Sequence, residues 1–276
     1  MMQLEPDFRG RFAEPPSFEQ MLSLEGEVFR ELAGRRTLRF FLGEKGYFAK
    51  LHFGVGWKEI LKNLSHFKLP VLGADNERRA IRRCEELGVE TMRIAGYGCR
   101  GWNPARIQSF LVTEELADTI SLEDLCRDWK TNPPPFGLKK ALIEKVAGMA
   151  AALHENGVNH RDFYICHFLL PLADLERVSR QEAFRLHLID LHRVQLRPRT
   201  PQRWIVKDVA GLYFSSMDIG LTRRDILRFM RAYRRRALRS LLQDERVFWE
   251  RVERRALALY RKEFGRDPAS NPSLGR

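Results

Sequence analysis

A chain of 276 residues with 44% hydrophobic side chains can fill one large domain or two lobes without staples, and its formal charge of +12 calls for an acidic partner. The four cysteines, Cys84, Cys99, Cys126 and Cys166, form no Cys-x-x-Cys pair, which argues against a zinc site or a disulfide framework and for reduced thiols in a cytoplasmic setting. Met1 to Arg11 lacks the apolar core of a signal peptide, and no later stretch approaches the roughly 20 apolar residues of a membrane span, so neither export nor bilayer crossing is expected.

Glu27–Leu32, Thr37–Leu42 and Tyr47–Lys50 read as three antiparallel strands, joined by turns at Ala33-Gly34-Arg35-Arg36 and Gly43-Glu44-Lys45-Gly46. Beyond them Trp57, Ile60, Leu61 and Leu64 recur at helical spacing, with Lys58 and Lys62 off the stripe. That pattern fits a short helix packed on its own lobe or an amphipathic helix that seeks a surface. Asp75 to Gly88 reads as a capped helix ending at glycine, and its 3.6-residue period sets Glu77 on one face with Ile81 and Cys84. A carboxylate on a buried stripe needs a cation, for which Lys50 is the candidate, unless Glu77 only complements the dipole of the first turn. Ile107–Thr113 reads as a strand followed by Glu114-Glu115-Leu116, and Ser121–Lys130 as a helix before the breaker Thr131-Asn132-Pro133-Pro134-Pro135.

Leu138–Asn156 reads as an amphipathic helix closed by Gly157, and Phe168–Leu170 and Leu186–Ile189 are short strand candidates. Asp208–Ser215 begins a further helix. The interval before it is basic, with Arg193, Arg197, Arg199 and Arg203, and carries Trp204. Leu221 to Arg266 holds 15 Arg/Lys against 6 Asp/Glu, a balance of +9, and reads as two Arg-rich helices with Ile226, Met230, Tyr233, Phe248, Val252 and Leu259 turned inward. Pro268–Arg276 is expected to be a disordered tail.

Between the long helix and the first of the short strands stands His160-Arg161-Asp162, which resembles the catalytic loop of protein kinases; Asp190, at the end of the next strand, stands where their magnesium-binding Asp stands. Phe48-Ala49-Lys50 is similar to the pattern whose Lys pairs with nucleotide phosphates, Glu77 then being its anchor, and the Gly34 turn corresponds to the loop over those phosphates. Glu114 and Leu116 suit a hinge whose backbone groups meet the adenine edge. The expected fold class is α+β, a protein-kinase-like two-lobed fold with a β-rich N-lobe over 1–113, a helical C-lobe over 114–264, an ATP cleft between them and a tail over 265–276.

Three segments narrow the resemblance: Tyr47-Phe48-Ala49-Lys50, the run Asn159 to Phe168, and Lys207 to Ser215 are similar to the bacterial lipopolysaccharide kinase family. The resemblance implies transfer of phosphate from ATP, with Mg²⁺, to a hydroxyl of the first heptose of the inner core, on the cytoplasmic face of the inner membrane. It makes Asp162 the catalytic carboxylate and Asp190 a metal ligand. His167 stands where protein kinases carry a second metal-binding Asn, although imidazole suits a hard cation poorly. Arg193, Arg197, Arg199 and Arg203 follow Asp190 and are expected to hold the acceptor's anionic groups, or else to be a solvated basic loop. The implied partners are the inner-core glycolipid, an anionic membrane surface and an acidic protein, with no nucleic acid. Only Leu191–Lys207 separates Asp190 from Asp208, which leaves no room for a long peptide-positioning segment. A kinase for another anionic sugar or a protein side chain, and a pseudokinase that binds an acidic partner, remain the alternatives.

Overall fold

The computed structural model describes residues 1–32, 34–57, 61 and 73–268. These form two compact units, the first comprising Met1–Arg83, Met92–Ala117 and Leu191–Arg193, the second Cys84–Thr91, Asp118–Asp190 and Val194–Arg276. The stripe around Ile60 and Leu64 and nearly all of the expected tail lie outside the described residues.

The first unit is built on a six-stranded antiparallel sheet: β1 (Met2–Leu4), β2 (Glu27–Leu32), β3 (Arg35–Leu42), β4 (Lys45–His52), β5 (Ile94–Arg100) and β6 (Gln108–Glu114), in the order β1-β5-β6-β4-β3-β2. Alternation explains the central hairpin. Leu38 and Phe40 on β3, and Tyr47, Ala49 and Leu51 on β4, all point into one core with Phe8, Met21, Phe110 and Val112. β1 and β5 carry no such obvious alternation, and the sequence pattern predicts neither; the β5 glycines let Leu4 and the Phe8 and Phe110 rings lie where side chains at Gly96 and Gly98 would stand.

At the turn between β2 and β3, Gly34 has φ +79, and a Cβ there would come 2.2 Å from the Gly54 carbonyl oxygen. The Phe53 amide donates to the Gly34 carbonyl at 2.8 Å. This close approach of two backbones demands glycine by itself. The Asp75–Glu86 helix begins against the sheet: the Ala74 amide donates to Ser109 Oγ (3.0 Å), Tyr97 Oη donates to Asp75 Oδ1 (3.2 Å), and the Arg78 guanidinium covers the Tyr97 ring at 4.6 Å.

The second unit is mainly helical, with Phe136–Glu155, Gln202–Ser215, Arg223–Arg234, Leu238–Asp244 and Arg246–Phe264 as its principal helices. Two small sheets frame the loop after the first of these: Val158–Asn159 pairs with Gln195–Leu196, and Phe168–Pro171 lies between Thr119–Ser121 and His187–Leu188. Two expectations are corrected here. The helix foreseen over Ser121–Lys130 runs only from Leu122 to Leu125, because the chain then tightens into three-residue turns (Arg127 N to Asp124 O, Trp129 N to Cys126 O) that bury Trp129. The two basic C-terminal helices are three, since Arg235 adopts a left-handed φ of 52 that ends the first one. Ile226, Met230, Tyr233, Phe248 and Val252 are buried as expected, whereas Leu259 is half-buried and Tyr260 and Ala256 fill the core beside it.

Candidate active site

In the first unit Lys50 Nζ donates to Glu77 Oε1 at 2.6 Å; the Glu77 side chain is 5% exposed and that of Lys50 29%. Strand alternation turns Lys50 away from the Ala49–Leu51 core, and helix periodicity sets Glu77 one turn from buried Ile81 and Cys84. His52, two residues along the same strand face, has its imidazole pushed down to about 4 by burial and then by the charges of Arg35, Lys50 and His192. Neutral His52 thus sits within a positive field that suits phosphate oxygens. Asn76 Nδ2 donates to the His192 carbonyl (3.0 Å), tying the start of the helix to Leu191–Arg193, the segment that holds Arg193. Glu114 ends the interior strand β6, two residues before Leu116: the Glu114 amide donates to Arg93 O (2.9 Å), its carboxylate takes Lys45 Nζ (2.6 Å), and the Glu115 amide donates to Gly46 O (3.0 Å).

In the second unit the loop around Asp162 is suspended from a buried carboxylate. Asp208 is fully buried; Oδ2 accepts the His160 amide at 2.6 Å and Oδ1 the Arg161 amide at 2.8 Å, while His154 Nε2 approaches Oδ2 at 3.4 Å and its Nδ1 meets Tyr233 Oη at 2.8 Å. Arg161 has φ 78 and Asp190 φ 63, conformations that a residue with a Cβ adopts only when its surroundings hold it there. The His160 ring supplies part of that hold. Its Nε2 donates to the Ile189 carbonyl at 3.0 Å, tying the loop to the residue before Asp190, and burial pushes its imidazole down so that the ring is neutral.

His167 bridges the other two carboxylate-bearing positions. Its Nδ1 lies 2.7 Å from the Asp162 carbonyl oxygen, which can only accept, so Nδ1 carries a proton, and Nε2 lies 3.7 Å from Asp190 Oδ2. The Tyr164 amide also donates to the Asp162 carbonyl (3.1 Å), so the backbone that aims the Asp162 side chain is held twice. Among the described residues no three His, Cys, Asp or Glu side chains form a metal cage. The Asp190 carboxylate fits a hard cation that keeps waters and takes its remaining oxygens from a bound phosphate, whereas the His167 imidazole is a poor ligand for one.

The four candidate arginines do not form one group. Arg193 belongs to the first unit, Arg199 is exposed, and Arg197 and Arg203 converge on the Trp204 ring in the second. Sequence reasoning does not foresee the roles of His154, Tyr233, Asn159 and Gln195 in this framework, because each acts through a non-local contact. A separate cavity in the second unit, lined almost wholly by apolar side chains such as Leu142, Val146, Val209, Leu212 and Phe229, contains none of the candidate residues and offers a nucleotide no polar contacts of that kind.

The sequence profile of the lipopolysaccharide kinase (Kdo/WaaP) family matches residues 19–233. The chain belongs to that family. It is 53% identical over 259 residues to the lipopolysaccharide core heptose(I) kinase WaaP of Pseudomonas aeruginosa, covering 94% of this chain and 96% of that protein. With the Escherichia coli lipopolysaccharide core heptose(I) kinase WaaP it shares 49% identity over 256 residues, 93% of this chain and 96% of the relative. A solved structure of WaaP in complex with acyl carrier protein superposes with a TM-score of 0.79 at 48% identity, covering 94% of this chain and 99% of that one. Membership of a kinase family accords with the α+β architecture, an antiparallel N-terminal sheet followed by a helical remainder, and implies use of ATP.

Proposed function

We propose that this family member transfers the terminal phosphate of ATP to a hydroxyl of the first heptose of the lipopolysaccharide inner core. The observation that carries the reading is the near full-length similarity to proteins named for that activity, joined to the presence of Asp162, Asp190, Lys50 and Glu77. Asp162 accepts the proton of the attacking hydroxyl as its oxygen bonds to the γ-phosphorus and the bond from that phosphorus to the bridging oxygen breaks, releasing ADP. Lys50, steadied by Glu77, neutralises phosphate oxygens, the Gly34 turn lies over them, and backbone groups of Glu114 and Leu116 meet the adenine edge. Asp190, with His167 beside it, would hold Mg²⁺, which when bound would screen the charge of the phosphates. Arg193, Arg197, Arg199 and Arg203 face the anionic acceptor.

Incubating the protein with ATP, Mg²⁺ and purified inner-core glycolipid and weighing the product by mass spectrometry tests this reading. One added phosphate on a heptose supports it; an unmodified glycolipid with ATP intact rejects it and favours a binding module. Asp190→Ala should weaken magnesium-dependent nucleotide binding more than Asp162→Asn, and equal affinities would contradict the division of roles.

A peripheral position on the cytoplasmic face of the inner membrane follows from the same substrate. No helix among the described residues is long and apolar enough to cross a membrane. Trp102 is 91% exposed and Trp57 55%, on adjoining loops linked by the Gly56 amide donating to Ala105 O at 3.0 Å, with exposed Arg100 and Arg106 beside them. Interfacial Trp with Arg suits an anionic lipid surface. An acidic protein partner is also proposed, supported by the acyl carrier protein with which the related WaaP forms a complex and by the basic face of the Arg223–Arg234 helix.

A further inference from the structure

Three helices of the second unit meet at the buried His154 imidazole. His154 lies in the last turn of Phe136–Glu155, Asp208 midway along Gln202–Ser215, and Tyr233 in the last turn of Arg223–Arg234. The two ring nitrogens are unequally held: Nδ1 meets Tyr233 Oη at 2.8 Å, whereas Nε2 lies 3.4 Å from Asp208 Oδ2, an oxygen that already accepts the His160 amide at 2.6 Å. The Asp208 carboxylate can only accept, so Nε2 carries a proton. A bond as long as the one at Nε2 is weak, and by itself it would leave the ring free to turn about its Cβ–Cγ bond. The shorter bond at Nδ1 is what fixes that turn.

Tyr233 is a firm anchor for it. Its buried ring is stacked on Phe229 with centroids 5.7 Å apart and stands edge-on to Trp249 at 6.1 Å, and the Arg234 guanidinium covers it at 4.9 Å. Burial pushes its phenol above the ordinary range, so the hydroxyl keeps its hydrogen. On the other side the His154 ring packs against Phe163, the residue after Asp162, with centroids 6.0 Å apart, while Asp208 takes the amides of the two residues before Asp162. A buried tyrosine hydroxyl needs a partner wherever it lies. Here the partner is one bond removed from the carboxylate that suspends the loop.

We infer that Tyr233 is a positioning residue for phosphate transfer: its hydroxyl sets the orientation of the His154 ring, and through that ring the support that Asp208 and Phe163 give to the loop bearing Asp162. Tyr233 acts through His154 and not on a reacting atom. The Arg223–Arg234 helix is thereby a mechanical part of the loop's mount, although 71 residues of chain separate Tyr233 from Asp162. Networks of this kind couple their members more strongly than single bonds suggest, because each bond restricts the geometry of the next. The catalytic consequence rests on the kinase reading; the link between helix and loop does not.

The test is Tyr233→Phe in the full-length protein, which removes one oxygen and leaves the ring in place. Amide hydrogen exchange should quicken at His160 and Arg161 by about three- to tenfold, while the amides of the Gln202–Ser215 helix exchange as in wild type. Turnover of ATP with inner-core glycolipid should fall over a similar range with KM for ATP unchanged, since the loss lies in the loop and not in nucleotide contacts. A second variant, His154→Gln, checks the route: its amide can still donate to Asp208 but places no group at the Nδ1 position. In that background Tyr233→Phe should change neither exchange nor turnover further. Should Tyr233→Phe fold poorly, His154→Gln alone makes the comparison between the loop amides and the helix. Unchanged exchange at His160 and Arg161 would overturn the inference, as would an equal quickening across the whole second unit or a full Tyr233→Phe effect persisting beside His154→Gln. Wild-type activity keeps the two claims apart. Quickened loop exchange in a protein that transfers no phosphate removes the kinase reading and leaves the link, whereas quickened exchange with unchanged turnover in an active protein removes the positioning role and leaves the kinase.

Discussion

Lys50 and Asp162 are held by opposite means. Among the described residues the Lys50 ammonium has one ion pair, from its strand to the Glu77 helix, and its side chain keeps contact with water. Asp162 stands in a loop whose neighbours hang from the buried Asp208 carboxylate by two backbone amides, whose carbonyl is gripped by His167 and Tyr164, and whose flanks include left-handed Arg161. In the proposed mechanism Lys50 contacts several successive states of a phosphate, for which one flexible partner suffices. The proposed role of Asp162, meeting one hydroxyl at one moment, calls for a rigid mount, since small displacements of a reacting group are expensive.

The largest effect should follow from Asp162→Asn, which keeps the side chain's shape but cannot accept the hydroxyl proton. Turnover is expected to fall by about 10²–10⁴-fold with ATP affinity retained, measured by phosphate release and nucleotide titration; a variant within a few-fold of wild type would remove Asp162 from the chemistry. Asp208→Ala strikes the mount itself. It strands the buried His160 amide and the half-buried Arg161 amide, and a loss of about 4 kcal/mol of stability is expected in urea unfolding, together with loss of activity. A stable, active variant would mean that the loop is not suspended from Asp208.

Burial, and after it the positive charges of Arg35, Lys50 and His192, hold the His52 imidazole at about 4 in the folded chain, below its ordinary 6.5. A depressed imidazole is neutral in both states above pH 6.5, and the unfolded chain takes up the proton first as the pH drops. Stability is therefore lost between pH 6.5 and 4, by about 3 kcal/mol. The urea midpoint of wild type should fall over that window more steeply than that of His52→Gln, and parallel curves would contradict the assignment. The smallest effect concerns Lys50→Met and Glu77→Gln. If the pair acts as one unit, the double variant loses less transition-state stabilisation than the sum of the single losses, by about 1–2 kcal/mol; strict additivity would reduce Glu77 to a helix-dipole residue.

Much of this arrangement is legible in one dimension. The order Lys50, Glu77, His160-Arg161-Asp162, Asp190, the alternation of the β3–β4 hairpin and the 3.6-residue face shared by Glu77, Ile81 and Cys84 are local patterns, and local patterns survive in sequence because strand and helix geometry repeat at short period. The end of the helix begun at Leu122 and the break at Arg235 are less readable, since each depends on which side chain the core accepts.

What tertiary structure alone decided lies in contacts between distant positions. Met2–Leu4 becomes a strand only because Gly96–Gly98 offers it an edge. Asp208 is a suspension point because His160 and Arg161, 48 and 47 residues earlier, turn their amides toward it. The basic interval after Asp190 looks uniform as a string of arginines, yet folding sorts it: Arg193 goes with the first unit, Arg199 to solvent, and Arg197 and Arg203 to Trp204. Charge and spacing show only that the interval is basic. Which of them can grip the same anion depends on backbone paths such as the Gly157–Arg197 contact, and those are set by steric closeness that no periodicity encodes.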